Sequence, residues 1–244
     1  MPFILSPDPA RRPRVLIINP NATEAFTEGI RGTLRADVEL DFYTAPAAHA
    51  PASIESATDE IVSAAACLSE LRAHVDKWDG FVVACFSAHP LVPALRELSA
   101  APAVGILEAS LLMGSTLGGR VGILTTSPRW EPLLEGEIAA LGLAGKNAAG
   151  VVSSGLAVLD LEELPRASVI KVLCTAAADV LQDRRGADVI VLGCAGMAGL
   201  EDAVGEACQP GLVVLDPVRC GLEMCLGLIR MGARTSKVGL YAPA

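Results

Sequence analysis

Short apolar runs, each ending in a polar or small residue, alternate along the chain with longer amphipathic segments. The first run, RVLIIN, extends from Arg14 to Asn19, and a similar run, RVGILT, extends from Arg120 to Thr125 about a hundred residues later. Short, nearly continuous runs of Val, Ile and Leu are typical of parallel strands that are covered on both faces. The pattern therefore predicts buried parallel sheets.

Each half of the chain also contains an apolar run that ends in a cysteine. Asp79 leads through GFVVA to Cys85, and about a hundred residues later Asp188 leads through VIVLG to Cys194. Because the landmarks recur in the same order at nearly the same spacing, we interpret them as two copies of one α/β unit. Each copy has one cysteine at the end of a strand.

A second pair of matching runs extends the repeat. Pro102 leads through AVGIL to Glu108, and Pro210 leads through GLVVL to Asp216. In both copies an acidic residue directly follows the apolar run. We expect these two acids to cap helices or to brace a hinge.

Strand-like and helix-like segments alternate along the chain. The pattern predicts strands over residues 14–18, 38–43, 80–84, 103–107, 121–124, around 151, 188–192 and 212–215. It predicts helices over residues 24–34, 55–75, 128–141, 161–182 and 218–231. This alternation is typical of parallel sheets with right-handed crossovers, so the predicted fold class is α/β.

The repeat predicts two similar Rossmann-like lobes with parallel sheets, related by a pseudo-twofold axis. We expect residues 1–107 plus 217–244 to form the first lobe and residues 108–216 the second. The last helix falls outside the repeat and is expected to return and brace the first lobe. Ligands of such sheets bind outside the carboxyl ends of the strands, which places the predicted active site in the cleft between the lobes.

Composition narrows the possible partners. Hydrophobic residues make up 52% of the 244 residues, but every apolar run is shorter than the ~20 residues of a membrane helix, so no membrane contact is expected. At the N-terminus the apolar residues precede the arginines, the reverse of a secretory signal, and a cytoplasmic protein is expected. The net charge of −9 argues against a nucleic-acid partner, which requires a basic surface.

The cysteines and histidines lack the spacing of a disulfide framework or a metal site. The seven cysteines are an odd number without a CxxC pair, and the three histidines form no HxxxH motif. We therefore expect neither a metal ion nor a structural disulfide.

Cys85 and Cys194 differ from the other cysteines in their location. A cysteine is by default a small buried apolar residue, and Cys67 and Cys174, which also match across the repeat, lie in helices where packing accounts for them. Cys85 and Cys194 each end an apolar strand and precede small residues that leave room for a ligand. Packing and catalysis are both open interpretations of this pair.

The predicted pseudo-twofold axis gives the pair a chemical use. Strand ends from the two lobes would meet the cleft from opposite sides, so one thiolate could remove a proton from a carbon acid while the other thiol returns one to the opposite face. Inversion of a stereocentre is the natural outcome. Because free cysteine has a pKa of about 8.5, we expect helix N-termini after the strands to lower it.

Five segments together resemble one known family. They are RVLIINPNATEAFTEGI, VVACFSAHPLVPALREL, GRVGILTTSPRW, VIVLGCAGMAGL and VVLDPV. In order and spacing they are similar to the aspartate/glutamate/hydantoin racemase superfamily, and specifically to its hydantoin racemase branch. The resemblance implies a cofactor-independent racemase with Cys85 and Cys194 as the acid/base pair, and with Asn19, Thr125 and Thr126 lining the substrate pocket.

Two departures from the family pattern bear on the substrate. Glutamate- and aspartate-type relatives place a charged helper beside the cysteines, where this chain has Asn19 and the pair Ala195 and Gly196. Typical bacterial hydantoin racemases follow the first cysteine with Gly-Asp-Pro-Gly, whereas residues 87–90 here are SAHP, as in fungal members. The resemblance thus implies a 5-substituted hydantoin or a related cyclic ureide such as allantoin rather than a charged amino acid.

Further candidate residues have both structural and functional interpretations. His89 is either a loop histidine before the next helix or a helper that stabilises the Cys85 thiolate or binds a substrate carbonyl. Asn19 and Asn21 either shape the turn before the first helix or receive charge on an enolate oxygen, and we favour the second role for Asn19. Ser87, Ala195 and Gly196 complete the expected substrate-binding set.

Other functions remain compatible with the sequence. On the same fold, the alternatives are an amino-acid racemase, a maleate-type isomerase or an arylmalonate-type decarboxylase. A different class is a two-lobed small-molecule binding protein in which the cysteines only pack. In every case the expected partner is a small molecule, and we expect a homo-oligomer.

Overall fold

Two four-stranded parallel sheets form the framework of the computed structural model, which describes residues 11–242. The first sheet has the order β2-β1-β3-β4, with strands β1 (Arg14–Asn19), β2 (Glu39–Thr44), β3 (Gly80–Val83) and β4 (Ala103–Gly105). The second has the order β6-β5-β7-β8, with β5 (Val121–Thr125), β6 (Gly150–Ser153), β7 (Val189–Leu192) and β8 (Val213–Leu215). The identical orders confirm the predicted α/β fold with two similar parallel sheets.

Helices connect successive strands in both halves. The first half contains α1 (Glu24–Thr33), α2 (Ala57–Leu71), α3 (Leu91–Leu98) and α4 (Ile106–Gly114). The second contains α5 (Trp130–Ala140), α6 (Asp160–Glu163), α7 (Arg166–Thr175), α8 (Glu201–Glu206) and α9 (Pro217–Arg230). Short 3-10 turns cover Val75–Lys77, Ala144–Lys146 and Ala195–Met197, and α7 continues as a π-helix over Ala176–Arg184.

The alternation of side chains along each strand divides the apolar core into three parts. In β1, Val15 and Ile17 face a central cluster, whereas Leu16 and Ile18 face an outer cluster covered by α2 and α3. The second sheet has its own outer cluster beneath α7 and α8. The central cluster contains residues from both sheets, so the two halves share one core.

Helices α4 and α9 fill the space between the sheets. They pack against each other, and each also contacts the sheet of the other half, α4 at β7 and α9 at β3 and β4. The prediction that the last helix returns to the first half is confirmed. Asp216 begins α9 as its N-cap and accepts hydrogen bonds from the N–H groups of Val218 and Arg219, which confirms its expected capping role.

Glycines allow the close contact of α9 with the first sheet. A Cβ on Gly221 of α9 would lie 2.9 Å from both Ile106 Cγ2 and Val82 Cγ1. On the facing strand, a Cβ on Gly80 would lie 2.5 Å from Cys225 Sγ. Neither position has room for a larger side chain without movement of the helix.

The structure differs from the sequence prediction in several elements, and α3 and α8 lie in segments for which no helix bounds were predicted. The strand predicted over residues 103–107 ends at Gly105, and α4, which was not predicted, begins at Ile106. Because α4 is buried on nearly all sides, its apolar sequence lacks helical periodicity. The single helix predicted over residues 161–182 is broken before Pro165, whose ring disfavours a helical conformation in Leu164.

The bounds of the two lobes remain a prediction, and parts of it, residues 1–10 and 243–244, lie outside the described residues. Within residues 11–242, no helix is both long enough and apolar enough to cross a membrane.

The close packing of α9 leads to a paired prediction on stability. Gly221→Ala should lower the free energy of unfolding by about 1–3 kcal/mol, because the new methyl group has no room. In Gly227→Ala on the same helix, the new methyl group meets nothing within 4 Å. This substitution should raise the free energy of unfolding by up to about 1 kcal/mol, because alanine has the higher helix propensity. Urea unfolding midpoints of the two variants would test this prediction. Equal midpoints would contradict the close packing around Gly221.

Candidate active site

The carboxyl ends of the central strands bring the candidate residues together. Asn19 ends β1 and Thr125 ends β5, while Cys85 and Cys194 follow just after β3 and β7. A cavity opens between these ends. It is lined by Asn19, Pro20, Asn21, Phe26, Ile54, Ala84, Cys85, Phe86, Thr126, Trp130, Val158, Gly193, Cys194, Ala195 and Gly196.

The cavity is small and has an uncharged lining. Its volume is about 40 Å³, and its walls include the side chains of Phe26, Phe86 and Trp130. None of the lining side chains is acidic or basic. Both thiols therefore face a compact space that suits a small molecule without a fixed charge, since a buried charge needs a partner.

Cys85 lies in a setting that favours the neutral thiol. Burial raises its pKa far above the ordinary value, and a hydrogen bond with Ser87 only partly opposes this. The two side chains are in contact, with 3.5 Å between Cys85 Sγ and Ser87 Oγ. The negative charges of Glu60, Cys194 and Glu137 raise the pKa further.

Cys194 is the easier of the two thiols to ionise. Burial raises its pKa to about 11, while a hydrogen bond from the backbone N–H of Gly196 acts in the opposite direction. Cys194 directly precedes the 3-10 turn at Ala195–Met197, whereas α3, the helix after Cys85, begins only at Leu91. The N–H of Gly196, in the turn after Cys194, acts in the expected direction, but both thiol pKa values are raised overall because burial dominates at both positions.

Four residues at the two strand ends line the cavity and have backbone N–H groups without a backbone hydrogen-bond partner in the described chain. The N–H groups of Cys85, Phe86, Cys194 and Ala195, all lining residues, donate no hydrogen bond to a backbone carbonyl of the described chain. Donors arranged in this way can stabilise negative charge that develops on a substrate oxygen.

The asparagines of the first loop have different roles. Asn19 Nδ2 donates to the carbonyl of Thr23 at 3.1 Å and to Thr27 Oγ1 at 3.0 Å, and its Oδ1 accepts from the N–H of Asn21. These bonds show that Asn19 shapes the turn before the first helix, which is the less favoured of its two predicted roles. Asn21 Oδ1 accepts from the N–H of Thr23, and the Asn21 Nδ2 group is one of the side-chain donors among the lining residues.

Three residues of the predicted site lie behind the cavity wall. Ser87 contacts Cys85, and Thr125 Oγ1 donates to the carbonyl of Gly193 at 3.4 Å, but neither lines the cavity. His89 is fully buried, and its Nε2 lies 2.9 Å from Ser63 Oγ. Its pKa is lowered to about 4 by burial, so the ring is neutral at pH 7. Thr126, Ala195 and Gly196 do line the cavity.

Three glutamates near the thiols were not identified from the sequence. Glu137 of α5 accepts a 2.7 Å hydrogen bond from the N–H of Ala88, and burial raises its pKa to about 7. Glu55 accepts from the N–H of Val158 at 3.2 Å. Both bonds join one half of the molecule to the other across the cleft. Glu60, the third, is buried on α2. An acidic residue on the apolar face of a predicted helix is the sequence pattern that could have identified such a glutamate.

Comparisons with known proteins agree with the fold and show the family. The family model described as Asp/Glu/Hydantoin racemase matches residues 15–225. A hydantoin racemase of Rhizobium meliloti is 34% identical, over 93% of this chain and 92% of its own. An uncharacterized protein of Schizosaccharomyces pombe is 39% identical, over 93% and 97%. The solved structure of allantoin racemase from Klebsiella pneumoniae is 30% identical, covers 95% of this chain and 93% of its own, and has a TM-score of 0.85.

The chain belongs to the Asp/Glu/hydantoin racemase family. Within that family it falls in the hydantoin racemase branch, and it is an isomerase of the racemase type.

The two raised pKa values predict an order of chemical modification. Iodoacetamide should label both thiols slowly at pH 7 and faster as the pH rises, with Cys194 reacting before Cys85 because its pKa is lower. Mass spectrometry of peptides over a pH series would measure this. Cys67 and Cys225, which are fully buried, serve as internal controls. Faster labelling of Cys85 at every pH would contradict the difference between the two sites.

Proposed function

We propose that the protein is a cofactor-independent two-cysteine racemase or epimerase that acts on a 5-substituted hydantoin or a related cyclic ureide such as allantoin. The observation that carries the proposal is the pair of thiols, Cys85 and Cys194, on one small cavity without a charged lining side chain. The hydantoin and allantoin racemases among the similar proteins support the same substrate class.

The chemistry begins with a single thiolate. Each cysteine's negative charge would disfavour ionisation of the other, so the pair holds one proton rather than none. Cys194, with the lower pKa, ionises before Cys85, so the small fraction of enzyme that holds a thiolate holds it on Cys194. A raised thiol pKa also makes the thiolate a stronger base, which suits removal of a proton from carbon.

Inversion follows from the positions of the two groups. The Cys194 thiolate removes the α-proton from one face, and the resulting carbanion is delocalised onto the neighbouring ring carbonyl. Backbone N–H groups at the strand ends and the amide of Asn21 stabilise that oxygen. The Cys85 thiol then donates its proton to the opposite face, which leaves the thiolate on Cys85.

An uncharged ring explains the lining better than a free amino acid does. A free carboxylate in a dry cavity needs a cationic partner, and no Lys, Arg or His is among the lining residues. A hydantoin ring carries its carbonyl inside the ring and needs only hydrogen-bond donors. The same argument disfavours the dicarboxylates of maleate-type isomerisation and arylmalonate-type decarboxylation.

The remaining expectations from the sequence stay predictions. They are a homo-oligomeric assembly, a cytoplasmic location, and substrate contacts by Asn19, Thr126, Ala195 and Gly196, which line the cavity. Ser87, Thr125 and His89 were also expected to contact the substrate, but they lie behind the cavity wall and would act on the site only through other residues.

Separate exchange measurements on each enantiomer test the two-base mechanism. Cys85→Ser and Cys194→Ser should each abolish racemisation, with a loss of at least about 10²-fold, because a serine hydroxyl is too weak an acid. Each variant should still exchange the α-proton of one enantiomer with D2O from its intact side. The measurement is NMR of separate L and D substrates, screened over hydantoins and allantoin.

The other matching cysteines provide the control. Cys67→Ala and Cys174→Ala should retain racemisation and lower the free energy of unfolding by about 1 kcal/mol each through small cavities. Full racemase activity in either serine variant would overturn the two-base mechanism. A wild-type protein that exchanges no ureide α-proton would overturn the substrate class.

A further inference from the structure

A second, larger cavity adjoins the candidate active site. This outer cavity has a volume of about 350 Å³ and lies between α1, the segment of α6 and α7, and the turn that follows Cys194. Phe26, Ala195 and Gly196 line both cavities, so they form the partition between the two. The space beside Cys194 therefore continues, behind this partition, into the outer cavity.

The buried part of the outer cavity wall is apolar, whereas its mouth is polar. Ile30, Val169 and Leu200 are buried residues of the wall. Glu162 and Arg166, which also line the cavity, are exposed. The buried part can therefore bind an apolar group by removing it from water, and the mouth opens to solvent.

The partition is thin because Gly196 has no side chain. A Cβ at this position would lie 2.7 Å from Phe26 Cε1 and 3.0 Å from Leu161 Cδ1, so the ends of these two side chains cover the glycine. The φ angle of Gly196 is not positive, so its backbone conformation does not itself require glycine. Because side chains can change rotamer, the partition can widen at Phe26 and Leu161 without movement of the backbone.

The active-site cavity has little room for a substituent on the substrate ring. Its volume of about 40 Å³ holds about three water molecules, at roughly 10–15 Å³ each, and a ureide ring with its carbonyl oxygens fills that space. In the proposed reaction the α-carbon lies between Cys85 and Cys194, so its substituent leaves in the plane between the two thiols. Ala195 and Gly196 directly follow Cys194, and the outer cavity lies behind them. A substituent larger than a methyl group needs this neighbouring space.

We propose that the outer cavity holds the 5-substituent of the substrate, and that Phe26 and Leu161 determine the size of substituent that can pass Gly196. This inference rests on the proposed racemase function and narrows its substrate class. The favoured substrates are hydantoins whose substituent extends beyond a methyl group and is apolar, because the buried wall that receives it is apolar. The three residues are specificity determinants, since none of them exchanges a proton with the substrate.

Racemisation of 5-benzylhydantoin and 5-methylhydantoin tests the route. Gly196→Ala keeps the N–H that bonds to Cys194, but its methyl group fills the passage. It should lower kcat/KM for the benzyl compound, relative to that for the methyl compound, by roughly tenfold or more. Adding Leu161→Ala to this variant removes one of the two close contacts and should recover part of the loss. Leu141→Ala, at an exposed leucine that lines neither cavity, is the control and should leave the ratio unchanged.

A second measurement does not depend on activity. Iodoacetamide and iodoacetanilide attack the same thiolate, but iodoacetanilide carries a phenyl ring, so the ratio of their labelling rates at Cys194 does not depend on the thiol pKa. Gly196→Ala should lower the rate of iodoacetanilide relative to that of iodoacetamide, and Leu161→Ala in the same chain should raise it again. Circular dichroism melting monitors folding. Should Gly196→Ala fail to fold, Leu161→Phe narrows the same passage and should lower both ratios.

The outcomes separate the two proposals. Equal losses for both hydantoins in Gly196→Ala would mean that the residue only positions Cys194, and would overturn the role of the outer cavity while leaving the racemase intact. A wild type that racemises 5-methylhydantoin but not 5-benzylhydantoin would overturn it as well. If the wild type racemises no ureide, the proposed function fails, while the labelling ratio still decides whether the outer cavity receives a group bound beside Cys194.

Discussion

The packing of α4 against α9 holds the two sheets together, and the positions of both thiols depend on it. Each helix starts directly after the last strand of its own half and lies against the sheet of the other half. Close-packed protein interiors have low compressibility, so the strand ends that carry Cys85 and Cys194 keep a fixed relation. Glycines at residues 80 and 221 allow the backbones to approach closely enough.

The electrostatics of the site follow from the same burial. Both thiols are partly buried, and the acids placed around them, Glu55, Glu60 and Glu137, raise their pKa values further. Such a site holds few thiolates, but each thiolate is a strong base. The hydrogen bonds of Glu55 and Glu137 also join the two halves across the cleft. The same two acids therefore raise the basicity of the thiolates and help to close the cavity.

Much of the architecture was predictable because buried parallel strands leave a clear mark in the sequence. The paired runs ending at Cys85 and Cys194 indicated two equivalent strands and the edge of the sheet where a ligand binds. Helix α4 escaped prediction because burial on nearly all sides removes the periodicity that reveals a helix. The setting of Cys85 escaped for a different reason: the effect of the buried Glu60 on the Cys85 pKa depends on how α2 packs on the sheet, which no local pattern encodes.

The exchange of α4 and α9 between the halves has a consequence for symmetry. If the two halves were separate copies of one chain, the same packing would be a domain-swapped dimer with C2 symmetry, and its two thiols would have identical surroundings. Any substitution beside one thiol would then appear beside the other. Fusion into a single chain removes this constraint. One thiol can have a serine and a buried acid near it, and the other a backbone N–H, so the two thiols can have different pKa values.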